Sequence, residues 1–377
     1  MKILLLDGGN ANTLAITRHL GMHKDLELHV VGYNKLAQAC YSKFVAKKLL
    51  FPSVKNKPKE FYEALITQLK KEKYDLLMPV GFLSFEICMH NKEEIRKHTH
   101  ITLTTDESFA LASNKLTTYR FAQENRIACP KTYFLKSKEE IKTLEVPFPI
   151  VIKAPFEMGK NVVEYAHSQN EMIDKFNKLC NQYNFQEPNL PVVQQYITGD
   201  GYGFFAYYEN GECIKKFMHK RIREYPVSGG ASVCAESFYD KKLEENGKKM
   251  LDLVKWNGVA MVEFKKHSDG EYKLMEINPK FWGSLELALA AGIDFPYCLV
   301  QQQRGEKITK NEKYEQVRFQ WLLNGELFHF FERPSSFFKI IADLFRSKKD
   351  FRFSDPVPNC IQFLLIFLHI YKRLTGK

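Results

Sequence analysis

With 377 residues, 45% of them hydrophobic, the chain can bury a large core and divides into two or three domains, which excludes a disordered or fibrous polymer. Lys+Arg of 55 against Asp+Glu of 44 gives a net charge of +11, which favours anionic partners such as nucleotides, phosphosugars or a membrane surface without choosing among them. The eight cysteines are scattered, without a Cys-x-x-Cys or nearby histidines, so a reduced cytoplasmic protein is expected and a zinc site or disulfide framework is not.

In chain order, Lys2–Leu6 reads as a first strand ending at Asp7-Gly8-Gly9-Asn10; a helical stretch and a second strand at Leu26–Val31 complete a βαβ start. Its glycines do not spell G-x-G-x-x-G, which argues against a dinucleotide site. A strand at Leu76–Pro79 ends in Val80-Gly81, and doubly wound sheets place ligands beyond such strand ends, so Asn10, Ala11, Gly81 and Phe82 are candidate cleft residues. From about Asp106 the pattern changes. A helix begins after Ser113-Asn114-Lys115, and the strand Ile150–Ile152 carries Lys153 ahead of a short loop, Phe156–Asn161, that contains Gly159. A lysine there suits a phosphate, with the loop as a flap, although a lysine at a strand end also simply reaches for solvent. A strand at Val192–Ile197 precedes Thr198-Gly199-Asp200-Gly201-Tyr202-Gly203, and the basic segment His219–Arg223 precedes the backbone-donor loop Ser228-Gly229-Gly230-Ala231-Ser232, together suited to an anionic substrate.

The most informative stretch is Val259–Gly283. Two alternating apolar runs, Val259–Lys265 and Tyr272–Ile277, flank Asp269-Gly270, a hairpin signal. With Asp269-Gly270 as a two-residue loop, Glu263 falls opposite Glu276, and Asn278 points to the same face. Opposed carboxylates repel unless a cation lies between them. Two Glu oxygens and an Asn carbonyl suit Mg²⁺ or Mn²⁺, while two solvent-facing glutamates are the plainer alternative. Beyond about Gly305 the pattern is less regular, with a helix at Ser335–Arg346 and an amphipathic segment Ile361–Leu374 followed by basic residues, suited to an anionic membrane surface or to packing on the protein's own core. That segment is too short to span a bilayer.

Taken in order, Lys115, Lys153 before its flap, Gly-Asp-Gly-Tyr-Gly, Arg221, and Glu263 with Glu276-x-Asn278-Pro279 resemble the ATP-grasp superfamily, most closely the carbamoyl-phosphate-synthase-like carboxylate–amine ligases. The resemblance covers roughly residues 106–300. It implies an α/β (α+β) protein: an N-terminal doubly wound parallel-sheet domain (1–105), an ATP-grasp domain of two α+β subdomains (106–304, divided as 106–193 and 198–304), and a C-terminal helical extension (305–377). It further implies an ATP- and Mg²⁺- (or Mn²⁺-) dependent enzyme that activates a carboxylate as an acyl phosphate and couples it to an amine, giving an amide, ADP and phosphate.

By the same resemblance, Lys115 and Lys153 grip phosphates under the Gly159 flap, Gln194, Gln195, Tyr196 and Ile197 form the adenine hinge, and Asp200 follows as a nucleotide contact. Glu263, Glu276 and Asn278 hold the metal. Arg221 and Lys280 serve the transferring phosphoryl group and anion, and Arg223, Ser228, Gly229 and Gly230 face the substrate. Two departures stand out. Gln194-Gln195 replaces the glutamate that commonly opens the hinge, and Lys280 stands where an arginine often follows Asn-Pro, keeping the charge without the bidentate fork. The partners expected are small-molecule carboxylate and amine substrates and no nucleic acid; a homodimer and a peripheral membrane contact at the inner face are compatible with the reading. The end of the chain resembles ATP-grasp proteins of surface-polysaccharide biosynthesis, with a dipeptide or amino-acid ligase, or a non-catalytic ATP-binding protein, as alternatives.

Overall fold

The computed structural model describes residues 1–158, 162–311 and 313–375. The N-terminal part is a four-stranded parallel sheet, β1 (Lys2–Leu5), β2 (Glu27–Gly32), β3 (Val45–Leu50) and β4 (Leu76–Met78), in the order β3-β2-β1-β4. Ile3, Leu4, Leu5 and Val30 are all fully buried, the continuous apolar run that parallel strands need when helices cover both faces. The turn after β1 is fastened by Asp7, whose carboxylate accepts from the Val80 and Gly81 amides, Ser84 Oγ and the Tyr33 hydroxyl, so this turn is built for the fold.

A second four-stranded sheet, β5 (Thr132–Tyr133), β6 (Ile150–Lys153), β7 (Val163–Ala166) and β8 (Val192–Gln195), runs β5-β8-β6-β7 and is antiparallel throughout. The helix Gln169–Tyr183 covers it, burying Met172, Phe176, Leu179 and Cys180 at helical spacing. Ser168 caps its start by accepting from the Glu171 amide.

The third sheet has seven strands: β9 (Gly201–Glu209), β10 (Glu212–Tyr225), β11 (Ala231–Ser237), β12 (Gly258–Lys266), β13 (Tyr272–Asn278), β14 (Arg318–Gln320) and β15 (Lys348–Lys349), in the order β13-β12-β9-β10-β11-β14-β15. Only the β14–β15 pairing is parallel. The predicted parallel-sheet start, α+β middle and helical end are all present, the last as helices Phe337–Arg346 and Pro356–Thr375. Polar clamps fix that end to the start of the chain: Arg18 Nε donates to Asp355 Oδ2 at 2.9 Å and its Nη2 to Asn359 Oδ1 at 2.8 Å.

Candidate active site

The opposed glutamates lie where the hairpin argument puts them, but by a different route. His267 N–H donates to Glu271 O and Gly270 N–H to His267 O, which makes Ser268-Asp269-Gly270 a three-residue loop with Gly270 at φ +82°. That loop slips the pairing by one residue, giving Lys266↔Tyr272 and Phe264↔Leu274. A bulge between Glu263 and Phe264 takes up one extra residue on β13, Met275, and restores Glu263↔Glu276. The freed Met275 carbonyl accepts from the Tyr119 hydroxyl at 2.5 Å.

Around this pair lies a cleft of about 610 Å³ lined from all three sheets. Arg221 reaches it from β10, with Nη2 donating to Glu263 Oε2 at 2.6 Å and Nη1 to Gly230 O at 3.1 Å. Lys115, at the start of the helix Lys115–Glu124, stands 3.8 Å from Glu276. Lys153 Nζ donates to Gln194 Oε1 at 2.9 Å and to the Tyr119 hydroxyl at 3.4 Å. Asn278 Nδ2 donates to Glu276 Oε1 at 2.8 Å, leaving the Asn carbonyl oxygen as an acceptor. Lys280, Gln195, Tyr196, Ile197, Gly229 and Gly230 complete the predicted residues on the lining, and Asn10, Gly81 and Phe82 reach it from the first sheet.

The glycines of Gly199-Asp200-Gly201-Tyr202-Gly203 have distinct tasks. Gly199 sits at φ +120° with Lys266 O only 2.0 Å from where a Cβ would stand. At Gly201 a Cβ would lie 2.8 Å from Arg221 Cδ, so its absence lets the arginine lie across the strand toward Glu263.

Electrostatics separate the two carboxyls. Burial raises the Glu263 pKa against the pull of Arg221, whereas at Glu276 the charge of Lys115, the Asn278 hydrogen bond and Lys280 outweigh burial and hold it below the usual range. Burial lowers Lys153 and Lys280, partly offset by the nearby glutamates. Burial opposes the charge on Arg221, but Glu263 and Glu224 more than compensate and raise its pKa. The result is a compact field of cations around two hard oxygen donors, only one of which is held in a close ion pair.

Four predicted residues are not on the lining: Ala11, the first residue of the helix Ala11–Leu20, and Arg223, Asp200 and Ser228. A β-bulge between Arg221 and Arg223 breaks the two-residue alternation, so Arg223 turns away from the cleft and pairs with Glu326 at 2.5 Å and Asp343 at 2.7 Å in the interior. Asp200 is turned outward and pairs with Lys220 at 2.8 Å, with 60% of its side chain exposed. Ser228 is exposed, and its carbonyl accepts from Tyr165 Oη at 3.1 Å, so the cleft is lined by the rest of that loop, Gly229 to Ser232, and not by Ser228. Gly159 lies outside the described residues. His219, at the start of the basic segment, is buried edge-on against Phe205 with neither ring nitrogen partnered among the described residues. Burial, and then Arg221, push its pKa well below the ordinary value, so it is a neutral core residue.

Sequence reasoning missed Tyr119, Glu224, Lys265 and Tyr165. Lys265 Nζ lies 5.7 Å from the Tyr196 ring centroid and 3.5 Å from Ile197 O, and Tyr165 packs edge-on to Tyr196 at 5.6 Å. Only Lys265 carried a signal, the same strand face as Glu263.

Residues 193–324 match the family described as ATP-grasp in the biosynthetic pathway with Ter operon. No curated protein matches the sequence. Among solved structures, biotin carboxylase from Campylobacter jejuni, in complex with an ATP analogue, superposes with a TM-score of 0.69 at 14% identity over 84% of this chain and 74% of that one. N5-carboxyaminoimidazole synthetase from Staphylococcus aureus gives 0.64 at 12% over 84% and 80%. L-amino acid ligase from Bacillus licheniformis gives 0.61 at 13% over 80% and 73%. The chain is therefore an ATP-grasp protein in fold, and strands β9 to β14 of its third sheet, with the paired glutamates, lie within the segment that matches an ATP-grasp family directly.

Proposed function

We propose that the protein is an ATP-dependent carboxylate–amine ligase. The observation that carries this reading is the convergence of Glu263, Glu276, Lys115, Lys153 and Arg221 in one cleft, from separate elements of the fold. A carboxylate is a poor electrophile, so its oxygen first bonds to the γ-phosphorus of ATP and ADP leaves; an amine then attacks the acyl carbon, phosphate leaves with its bonding electrons, and the nitrogen gives up a proton to phosphate or solvent as the amide forms.

The residues fit the groups this chemistry needs. Glu263, Glu276 and the Asn278 carbonyl are oxygen donors of the kind Mg²⁺ takes, and Glu276, 3.8 Å from its nearest lysine, keeps lone pairs free. A metal held there supplies charge neutralisation. Lys153, fixed by Gln194 and Tyr119, is oriented to bind phosphate oxygens, and Lys115 adds a second charge at the same wall. Arg221, with two of its nitrogens engaged, is preorganised to stabilise charge on a transferring phosphoryl group. Gln194 is spent on Lys153 and Thr132, so hinge recognition of an adenine falls to the backbone of Tyr196 and Ile197, with the Tyr165, Tyr196 and Lys265 side chains beside it. Lys280, Gly229 and Gly230 are further lining groups for an anionic substrate.

For the acid, an acidic sugar or sugar nucleotide joined to an amino compound suits the basic lining, and an amino-acid or dipeptide substrate is the competing choice. ADP release with a panel of sugar acids and amino acids, each offered with amines, tests both. Stimulated turnover that disappears in Glu276→Gln is expected. Tight Mg·ATP binding with no stimulation by any pair would instead mean a nucleotide-binding protein without ligase turnover.

A further inference from the structure

The two C-terminal helices are packed inside out. Of the helix Phe337–Arg346, the buried residue is Asp343, while Phe338 and Phe345 are 82% and 86% exposed. The helix Pro356–Thr375 likewise turns Asn359 and Gln362 inward and leaves Phe363, Phe367 and Tyr371 in solvent at one-turn intervals. Between them Phe353, 88% exposed, packs edge-on against Phe351, which also meets Phe363 edge-on, so the apolar surface runs from one element to the next. Three of the inward groups are firmly held: Asp343 by Arg223 and Arg318, Asn359 by Arg18, and Asp355 by Arg18 and Ser42. The outward apolar face is thus fixed by buried polar clamps and is not the result of a loose helix. Exposed apolar surface on this scale marks an interaction site.

We infer that this face is a monotopic docking surface for an anionic lipid bilayer. Charge decides the occupant. The acids of residues 333–377 are Asp343, Asp350 and Asp355, and all three are buried. Every exposed charged side chain described in that stretch is a cation: Arg333, Lys339, Arg346, Lys348, Arg352 and Lys372. A second copy of the chain would bring like charges together with no acid to meet them, whereas an anionic lipid surface accepts phenylalanine and leucine at its acyl boundary and lysine and arginine at its headgroups. No helix among the described residues is long and apolar enough to cross a membrane, so the contact lies in the interface.

Co-sedimentation of the full chain with vesicles of phosphatidylcholine alone and of mixed phosphatidylcholine and phosphatidylglycerol tests this. Binding to the mixed vesicles should exceed that to the neutral ones by roughly 10-fold and fall with added salt. The triple substitution Phe338→Ser, Phe345→Ser, Phe367→Ser should abolish it, and, independently, Lys348→Glu with Arg352→Glu should weaken it by roughly 10-fold, with nucleotide binding unchanged in both. All of these positions are exposed, so unaltered melting curves are expected. Absence of binding, equal binding to both vesicle types, binding that survives the triple substitution, or a dimer in light scattering that those serines dissolve would overturn the proposal.

Discussion

Replacing each of the opposed glutamates by glutamine in the nucleotide-free protein should give unequal losses of stability, although the two substitutions are chemically identical. Glu263 is 2.6 Å from Arg221, and the side chains are 15% and 10% exposed. Glu263→Gln therefore leaves a largely buried guanidinium whose remaining ion pair, among the described residues, is with Glu224 at 3.3 Å. Breaking a buried pair in this way costs about 3–5 kcal/mol. Glu276 is 32% exposed and 3.8 Å from Lys115, which keeps Glu157 at 3.9 Å. Its pairing is worth under about 1 kcal/mol, and removing it also relieves repulsion across the hairpin. For cooperative unfolding of 377 residues, at about 2.1 cal/mol/K each, one kelvin corresponds to about 0.8 kcal/mol. Glu263→Gln should then lower Tm by about 4–6 °C, and Glu276→Gln should move it by about 1 °C in either direction. Differential scanning calorimetry without nucleotide or metal reads both. Equal shifts, or a harmless Glu263→Gln, would refute the assignment of Arg221 to Glu263 as its structural partner.

Arg223→Met should cost about 3–5 kcal/mol, because Glu326 and Asp343 are left buried without it, yet change nucleotide affinity less than about 2-fold, as titration calorimetry would show. Tyr119→Phe strips the Met275 carbonyl of its donor; about 1–3 kcal/mol of stability should go, together with weaker nucleotide binding as Lys153 loses a tether. Burial, with Asp350 nearby, lifts Glu286 to about 7. A carboxyl whose pKa rises on folding binds its proton more tightly in the native state, so its contribution is full below about pH 4 and is lost as pH climbs to about 7. Glu286→Gln should flatten the melting temperature over that window, and an unchanged profile would refute the assignment.

Much of this arrangement was legible because strand alternation and residue chemistry are local. The opposition of Glu263 and Glu276 was read from an assumed two-residue loop; a three-residue loop and the Met275 bulge shift the register in opposite senses, and the pairing survives. Arg223 shows the converse. Nothing in His219–Arg223 announces a bulge, and one extra residue reverses the face of every side chain beyond it until the next irregularity. Asp200 was assigned by its motif, whereas the motif is glycine geometry and the aspartate is a solvent-side partner of Lys220. Tyr119 could not be found from sequence, since its role depends on a helix crossing the hairpin 156 residues later. The amphipathic character of the C-terminal helix was visible, but which face turns outward depends on the clamp from Arg18 to Asp355 and Asn359, which only the folded chain brings together.

In the function proposed above, Glu263 and Glu276 hold a divalent metal that helps bind nucleotide. Isothermal titration with ADP, in the presence and absence of Mg²⁺, tests it on the wild-type protein and on Glu276→Gln, the variant expected to keep its stability. Mg²⁺ should tighten ADP binding by an order of magnitude or more in the wild type and by much less in the variant. An equal effect of Mg²⁺ on both proteins would contradict the claim.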